Sequence, residues 1–448
     1  MHPLRPLIEQ SIETDIEQMA EEGHDLSQLR AELEQARAGE SMDALLALQE
    51  SLWSRRSPKA FPYEEPDEWD DIVAACGLKD SQGTYDGDRD TLRDHLLAAW
   101  QGRCVGCQAG KPLEGLTWPD KIKELLQRIG SWPLEDYMNP MPTDVQIVLE
   151  GGQVFFDADT DWRNSVCRGN FDHAANDDDI NYAIASQLLV EDLGVNFDSA
   201  QALSHFLQTM PRYGLYASGK SMFEKGAFGV PWQYTGVFGN PCRQSLGSQI
   251  RCDPFGWVAP ARPLLAARMA YRDAYNSQRR NGIYSGMFFA ALLADVLGHG
   301  DIRRALETAT GVVPPRSRFA EMLEFVNKQC DGASDWEPVN RALLERYPEE
   351  SRKFNHSIPN AGIVVMSLLL GEGDFTRTLG ISIMAGLDTD CNGATVGSIM
   401  GAALGTAGIP SHWTEPLNDT IEAHVRGHQR VRISALAKRV FETAVKHM

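Results

Sequence analysis

Two acidic runs far apart in the chain carry the side chains best suited to chemistry. One is Asn176-Asp177-Asp178-Asp179; the other is Asp388-Thr389-Asp390-Cys391-Asn392-Gly393. Carboxylate and amide oxygens at this density suit hard divalent cations such as magnesium, manganese or calcium. A single run of this kind commonly caps a helix, because one Asx side chain accepts an orphan N–H and acids in the first turn meet the dipole. Capping needs one such residue, and here a whole run precedes Ile180. The second run matches the first half of a calcium loop, D-x-D-x-N-G, but the position of the bidentate Glu is Ile399, which argues against an EF-hand. What remains is a pair of carboxylates in an i, i+2 relation, able to reach one cation. Asp86-Gly87-Asp88-Arg89-Asp90 and Asp157-Ala158-Asp159-Thr160-Asp161 have similar spacing without the rest of the pattern, and read as solvated loops.

The elements that must position these runs are helical. The second run leads into a helix in which Gly393, Gly397, Gly401 and Gly405 recur every fourth residue. Each Gly inside a helix costs about 1 kcal/mol relative to Ala, so four in register imply close approach of another backbone or a ligand. Leu92 to Gly110 repeats the pattern with Gly102, Gly106 and Gly110, and the two helices are able to pack on each other. Ile180 to Leu193 reads as a helix started by the first run. Helical periodicity also marks Leu264–Tyr275, Gly286–Leu297, Ile302–Thr310, Arg318–Cys330, Ile363–Leu370 and Asp419–Lys446. Three amphipathic helices, Ile8–Glu21, Leu26–Ala38 and Ser41–Trp53, form an N-terminal extension over residues 1–56, suited to packing or homo-oligomer contacts. Residues 57–90 read as a linker with one short helix, and residues 91–448 as the core domain. No segment alternates with period two, so the class is all-α. The stretch from Pro211 to Pro263, dense in Gly, Pro and aromatics, reads as irregular substrate-lining loops.

Composition narrows the function further. A formal net charge of −20 over 448 residues argues against a nucleic-acid partner, which needs clustered Lys and Arg. The N-terminal segment lacks an apolar core, and the longest apolar stretch, Ala361–Leu370, is too short to span a bilayer. Eight scattered cysteines read as reduced thiols in the cytoplasm, and Cys104-Val105-Gly106-Cys107 has no second CxxC to make a zinc ribbon. Gly214 to Ser221 matches the phosphate-loop pattern G-x-x-x-x-G-K-S, but it follows Met210-Pro211-Arg212 rather than a buried strand, and Gly226, Gly229 and Pro231 soon interrupt the helix it needs. Glu114, just past the first glycine-patterned helix, is by itself an ordinary loop acid.

Three segments together resemble the ADP-ribosylglycohydrolase family. Gly102-Arg103-Cys104-Val105-Gly106-Cys107-Gln108-Ala109-Gly110-Lys111-Pro112-Leu113-Glu114 is similar to its G-x-x-x-G-D-A-x-G-x-P-x-E opening. Asn176 to Asp179 stands in the place of T-D-D-T, and Gly386 to Cys391 in that of G-G-D-T-D-T, followed by Ile409-Pro410-Ser411-His412-Trp413 for I-P-x-x-W. The order and spacing agree over residues 91 to about 430. The resemblance implies an all-α orthogonal bundle with two divalent cations, magnesium first and manganese or calcium after it. It implies Asn176, Asp177, Asp178, Asp388, Asp390 and Cys391 as metal ligands, and Glu114, Asp178 and Asp388 as the catalytic residues. Cys391 stands where the family has a ligating Thr, with Asn392 or a water as the replacement oxygen; Cys107 replaces an Asp, and Asp179 replaces a Thr. The implied activity is hydrolysis at the anomeric carbon of a ribosyl group, ADP-ribosyl on a modified side chain or small molecule. A ribosidase or nucleoside-type hydrolase without an ADP requirement is the alternative, and a non-catalytic ligand-binding protein on the same scaffold is another.

Overall fold

A computed structural model describes residues 4–39, 41–79, 83–142, 146–148, 154–157 and 162–448. It is an all-α bundle with almost no sheet. The Asp157–Asp161 run falls largely outside the described residues.

At the centre, the Arg89–Gly110 and Thr389–Leu404 helices lie with their backbones in contact. A Cβ on Gly102 would overlap the carbonyl oxygen of Gly397, one on Gly106 that of Gly393, and one on Gly401 that of Ala98. The period-four glycines therefore exist to let two helices touch, as the sequence suggests. Gly405 differs: it ends its helix at φ +69°, a left-handed position that favours glycine. The close approach matters because it sets the end of the first helix, next to Glu114, against the start of the second, next to Asp388 and Asp390, and the Thr389 hydroxyl donates to the Gly110 carbonyl at 2.8 Å.

Gly397→Ala tests this packing. Alanine's better helix propensity favours the variant by about 1 kcal/mol, but the methyl meets a backbone carbonyl that cannot rotate away. Overpacking of this kind costs about 1–3 kcal/mol or more, so the penalty wins. The expected result is a clear fall in the denaturation midpoint, whereas an unchanged midpoint means the helices are not in contact.

Around this pair the apolar runs form the expected helices, including Asn281–His299, Arg318–Cys330 and Ser357–Leu370. Among the described residues, Asn281–His299 is the one helix long and apolar enough to cross a membrane, and it is buried in the core. The Pro211–Pro263 stretch contains short helices, Ala217–Ala227 and Asp253–Trp257 among them, rather than loops alone. The first of these begins inside the G-x-x-x-x-G-K-S match and no strand precedes it, so the segment is not a phosphate loop.

Strand is the main departure from expectation. Gln146–Val148 pairs with Val154–Asp157, and Thr420–Glu422 pairs antiparallel with Arg430–Arg432. The C-terminal helix consequently starts at Ile433, not at Asp419. Strands this short cannot show a period, but Asn418 and Asp419, both at positive φ, and Gly427 at φ +76° mark the turns. The second hairpin has a positional role. Ala174 donates to the Thr420 carbonyl at 2.8 Å and accepts from Glu422 at 3.0 Å, pinning the chain just before Asn176.

The N-terminal helices, Arg5–Met19, Leu26–Ala38 and Met42–Trp53, share a small core of Ile12, Ile16, Met19, Leu29, Leu33, Leu45 and Leu52. They lie against the bundle, with Trp53 stacked on Tyr234 at 4.9 Å between ring centroids. Glu65 receives three hydrogen bonds from Arg318, and the Asp67 carboxylate accepts from the backbone N–H of Arg280 at 2.7 Å.

Candidate metal centre

The two acidic runs meet. Asp177 is the N-cap of the Asp178–Leu193 helix, where its Oδ1 accepts from the Asp179 N–H at 3.0 Å. One carboxylate oxygen suffices for that cap, which leaves Asp178 and Asp179 with no capping duty. Its other oxygen pairs with the Lys111 ammonium. The second run sits on a turn with Gly386 at φ +87° and Leu387 at φ +61°. For a bulky residue the latter is strained, and it persists because neighbours hold it. Leu387 donates to the Thr117 carbonyl, and Asp388 donates its N–H to the Asn360 side chain at 3.2 Å. Asp388 then opens the Thr389–Leu404 helix without capping it through its side chain.

Carboxylate oxygens of Glu114, Asp177 and Asp390 lie within 4.8 Å of one another, as do those of Asp177, Asp178 and Asp179. Asp179, Asp390 and the Cys391 thiol form a third such group. These groups share members, so they form one centre. Asp388 belongs to none of these three groups, but it is hydrogen-bonded to Asp390 and lines a cleft of about 740 Å³ together with Lys111, Glu114, Asn176, Asp177, Asp178 and Cys391.

Charge crowding is the dominant physical fact here. The negative charge of Asp390, with burial, pushes the Glu114 carboxyl up to about 8. Burial together with Asp177 and Asp179 raises Asp390 to about 7. Asp179 also reaches about 7, through burial and despite Arg103. Asp178 and Asp388 lie well above the usual carboxylate range, from burial and then from Asp177 and Asp390 respectively. Repulsion of this size is what bound cations relieve. The buried Oδ1 of Asp390 has no hydrogen-bond partner among the described residues, and oxygen donors dominate the set. The centre therefore fits divalent cations. Asp177, Asp178, Asp388 and Asp390 would hold them.

The remaining expected ligands differ in readiness. Asn176 lines the cleft, but its Oδ1 already accepts from Asn181 Nδ2 at 3.0 Å. Cys391 is at the centre, and its thiol donates to Asp179 Oδ2 at 3.0 Å. Burial and Asp179 push that thiol well above its ordinary value, so it is a neutral donor and not a thiolate. Asn392 sends its Nδ2 to Asn360 Oδ1 at 2.8 Å and thereby orients the turn that bears Asp388.

Two cationic residues escaped the sequence reading. Burial works against the Lys111 ammonium, but Asp177 more than offsets this and keeps it charged beside Glu114 and Asp390. Arg103 is fully buried, donates to Asp179 Oδ1 and the Asp179 carbonyl, and pairs with Asp253 at 2.7 Å. A charge between Gly102 and Gly106, on a helix otherwise lined with small residues, was the available signal for Arg103. Lys111, three residues before Glu114, had none beyond proximity in sequence.

A helical bundle with a carboxylate centre at the ends of two glycine-packed helices and the start of a third defines the class. The chain belongs to the ADP-ribosylglycohydrolase family, whose sequence model matches residues 88–447. Membership indicates a glycosyl hydrolase of that type, in a family that is generally metal-dependent. Among solved structures, an ADP-ribosylglycohydrolase-related protein complex is similar over 79% of this chain and 99% of its own chain. The identity is 19% and the TM-score 0.50, a likeness of fold alone. No curated protein matches the chain.

Proposed function

We propose that the protein is a divalent-metal-dependent hydrolase of ribosyl glycosidic bonds, with an ADP-ribosyl group as substrate. The observation that carries this reading is the lining of one cleft by Glu114, Asp177, Asp178 and Asp388, with Asp390 within 4.8 Å of Glu114 and Asp177. Two cations, magnesium foremost, would supply ribose-hydroxyl binding and activation of water. The protein's own residues do the rest. Asp178 and Asp388 face the cleft and orient what binds there; Glu114, half-buried at its mouth, moves the proton between water and the leaving group. Its carboxyl, raised first of all by Asp390, makes it an acid in the metal-free protein; with the Asp390 charge offset by a bound cation, Glu114 would be able to act as a base as well. A hydrolysis screen by mass spectrometry, over ADP-ribosylated peptides, ADP-ribose derivatives and simple ribosides, tests the assignment.

One observation favours the ribosidase alternative. Among the described residues lining the cleft, Lys111 is the one Lys or Arg, and Asp177 engages it. A diphosphate would find little fixed positive charge there apart from the cations. Release of free base from simple ribosides, with ADP-ribosyl substrates untouched, decides for that alternative. Self-association, if it uses the N-terminal helices, would draw on their exposed Leu4, Leu7 and Leu46, and sedimentation velocity tests it.

Cys391→Thr tests the ligand shell. A Thr hydroxyl is able to donate to Asp179 as the thiol does and offers a hard oxygen to a cation. Magnesium affinity measured calorimetrically should rise in Cys391→Thr and not in Cys391→Ala. Identical titrations of all three proteins would place position 391 outside the shell.

A further inference from the structure

Part of the cleft wall is built from two segments that supply none of its acids, and both are held by the N-terminal helices, which the family match does not cover. One segment supplies Ser245, Leu246 and Gly247 to the cleft, the other Phe354 and Asn355. They pair with each other: Ser245 and His356 form an antiparallel bridge, Leu246 donates to the Asn355 carbonyl at 2.9 Å, and Ser357 donates to the Gln244 carbonyl at 3.1 Å. Glu21, just past the Arg5–Met19 helix, spans this joint. Its Oε2 accepts from Gln244 Nε2 at 3.0 Å and lies 3.4 Å from His356 Nε2, while its Oε1 pairs with Lys353. One carboxylate therefore touches both segments, and it lines a cavity other than the cleft. Glu22 adds Arg243 at 2.7 Å on the first segment.

We propose that Glu21 is a positioning residue for substrate binding, and that the N-terminal helices are thereby part of the functional unit. Ionic contacts from outside fix the register of the two wall segments, and that register sets where the Phe354 ring and the Ser245 and Asn355 groups stand relative to the acids. A wall held this way supports the binding of the substrate remote from the reacting bond. Loss of the clamp should weaken binding without changing the chemistry at Glu114. The kinetic part of this inference rests on the glycohydrolase reading; the structural part does not.

The experiment compares Glu21→Ala, Glu21→Gln and Lys353→Ala in the full chain, with Glu34→Ala on the outer surface of the same helices as control. Lys353 is 44% exposed, so its removal leaves folding intact even where Glu21→Ala does not. Hydrogen exchange should speed up together in residues 242–250 and 353–357 in Glu21→Ala and Lys353→Ala, and stay at parental rates across 388–391. Glu21→Gln, still able to accept from Gln244, should lie nearer the parent. With an active substrate, KM should rise about tenfold while kcat stays within about twofold. Parental exchange in both wall segments overturns the proposal, even if thermal stability falls, because Glu21 would then only anchor its own helix. A loss of kcat at unchanged KM overturns it too. A parent protein with no turnover counts against the glycohydrolase reading, and the exchange result still decides the role of Glu21.

Discussion

Glu114→Gln is expected to lower kcat by about 10²-fold or more, because the amide keeps the shape of the side chain and cannot exchange the proton. Metal content should stay at the parental level. Glu114 sits within reach of Asp177 and Asp390 but lies at the end of a short helical turn, Lys111–Leu113, so the fold does not depend on its charge. Gln also lacks the carboxyl whose raised pKa opposes folding above about pH 4.5, so metal-free stability at neutral pH should rise while activity collapses. That opposition is diagnostic. A loop acid with no part in the chemistry would leave kcat where it was.

Metal removal is expected to have the second large effect, on activity and stability together. At a cation concentration a hundredfold above Kd, each site contributes about 2.7 kcal/mol, or about 5 kcal/mol for two. An unfolding entropy of about 2.1 cal/mol/K per residue converts this to roughly 5 °C of Tm for a chain of this length. Chelation should therefore lower Tm by about that amount and abolish turnover, and magnesium or manganese should restore both. The metal-free protein should also show a characteristic pH dependence. Asp179 and Asp390 titrate near 7 and Glu114 near 8 in the folded state, against ordinary values of 3.8 and 4.5. Between those limits the folded chain binds more protons than the unfolded one, so stability falls as pH rises from about 4 to about 8. Saturating magnesium should flatten that slope. Equal Tm in chelator and in magnesium, at every pH, would contradict the metal assignment.

Much of the centre was legible because its signals are local. Acidic residues in excess of any capping need pointed to Asp177, Asp178, Asp388 and Asp390, and glycines every fourth residue pointed to the contact between the two helices that brings the segment bearing Glu114 to the second run. The resemblance supplied the role of Glu114, which composition alone could not. What stayed hidden depends on contacts between distant residues. The pairing of Lys111 with Asp177, the burial of Arg103 against Asp179 and Asp253, and the grip of Glu21 on two wall segments leave no periodic trace in the chain. The hairpin at Thr420–Arg432 was hidden for another reason. Three-residue strands fall below the length at which alternation can be read, and the apolar spacing nearby matches a helix equally well.

The proposed hydrolysis of a ribosyl bond at this cleft requires divalent cations. Its most direct test is release of free ADP-ribose from an ADP-ribosylated peptide, followed by mass spectrometry in magnesium and in excess chelator. Release is expected in magnesium and not in chelator, with a loss of about 10²-fold or more in Glu114→Gln. Release at equal rates with and without chelator, or no release of any ribosyl product from any substrate in the presence of magnesium, manganese or calcium, would contradict it.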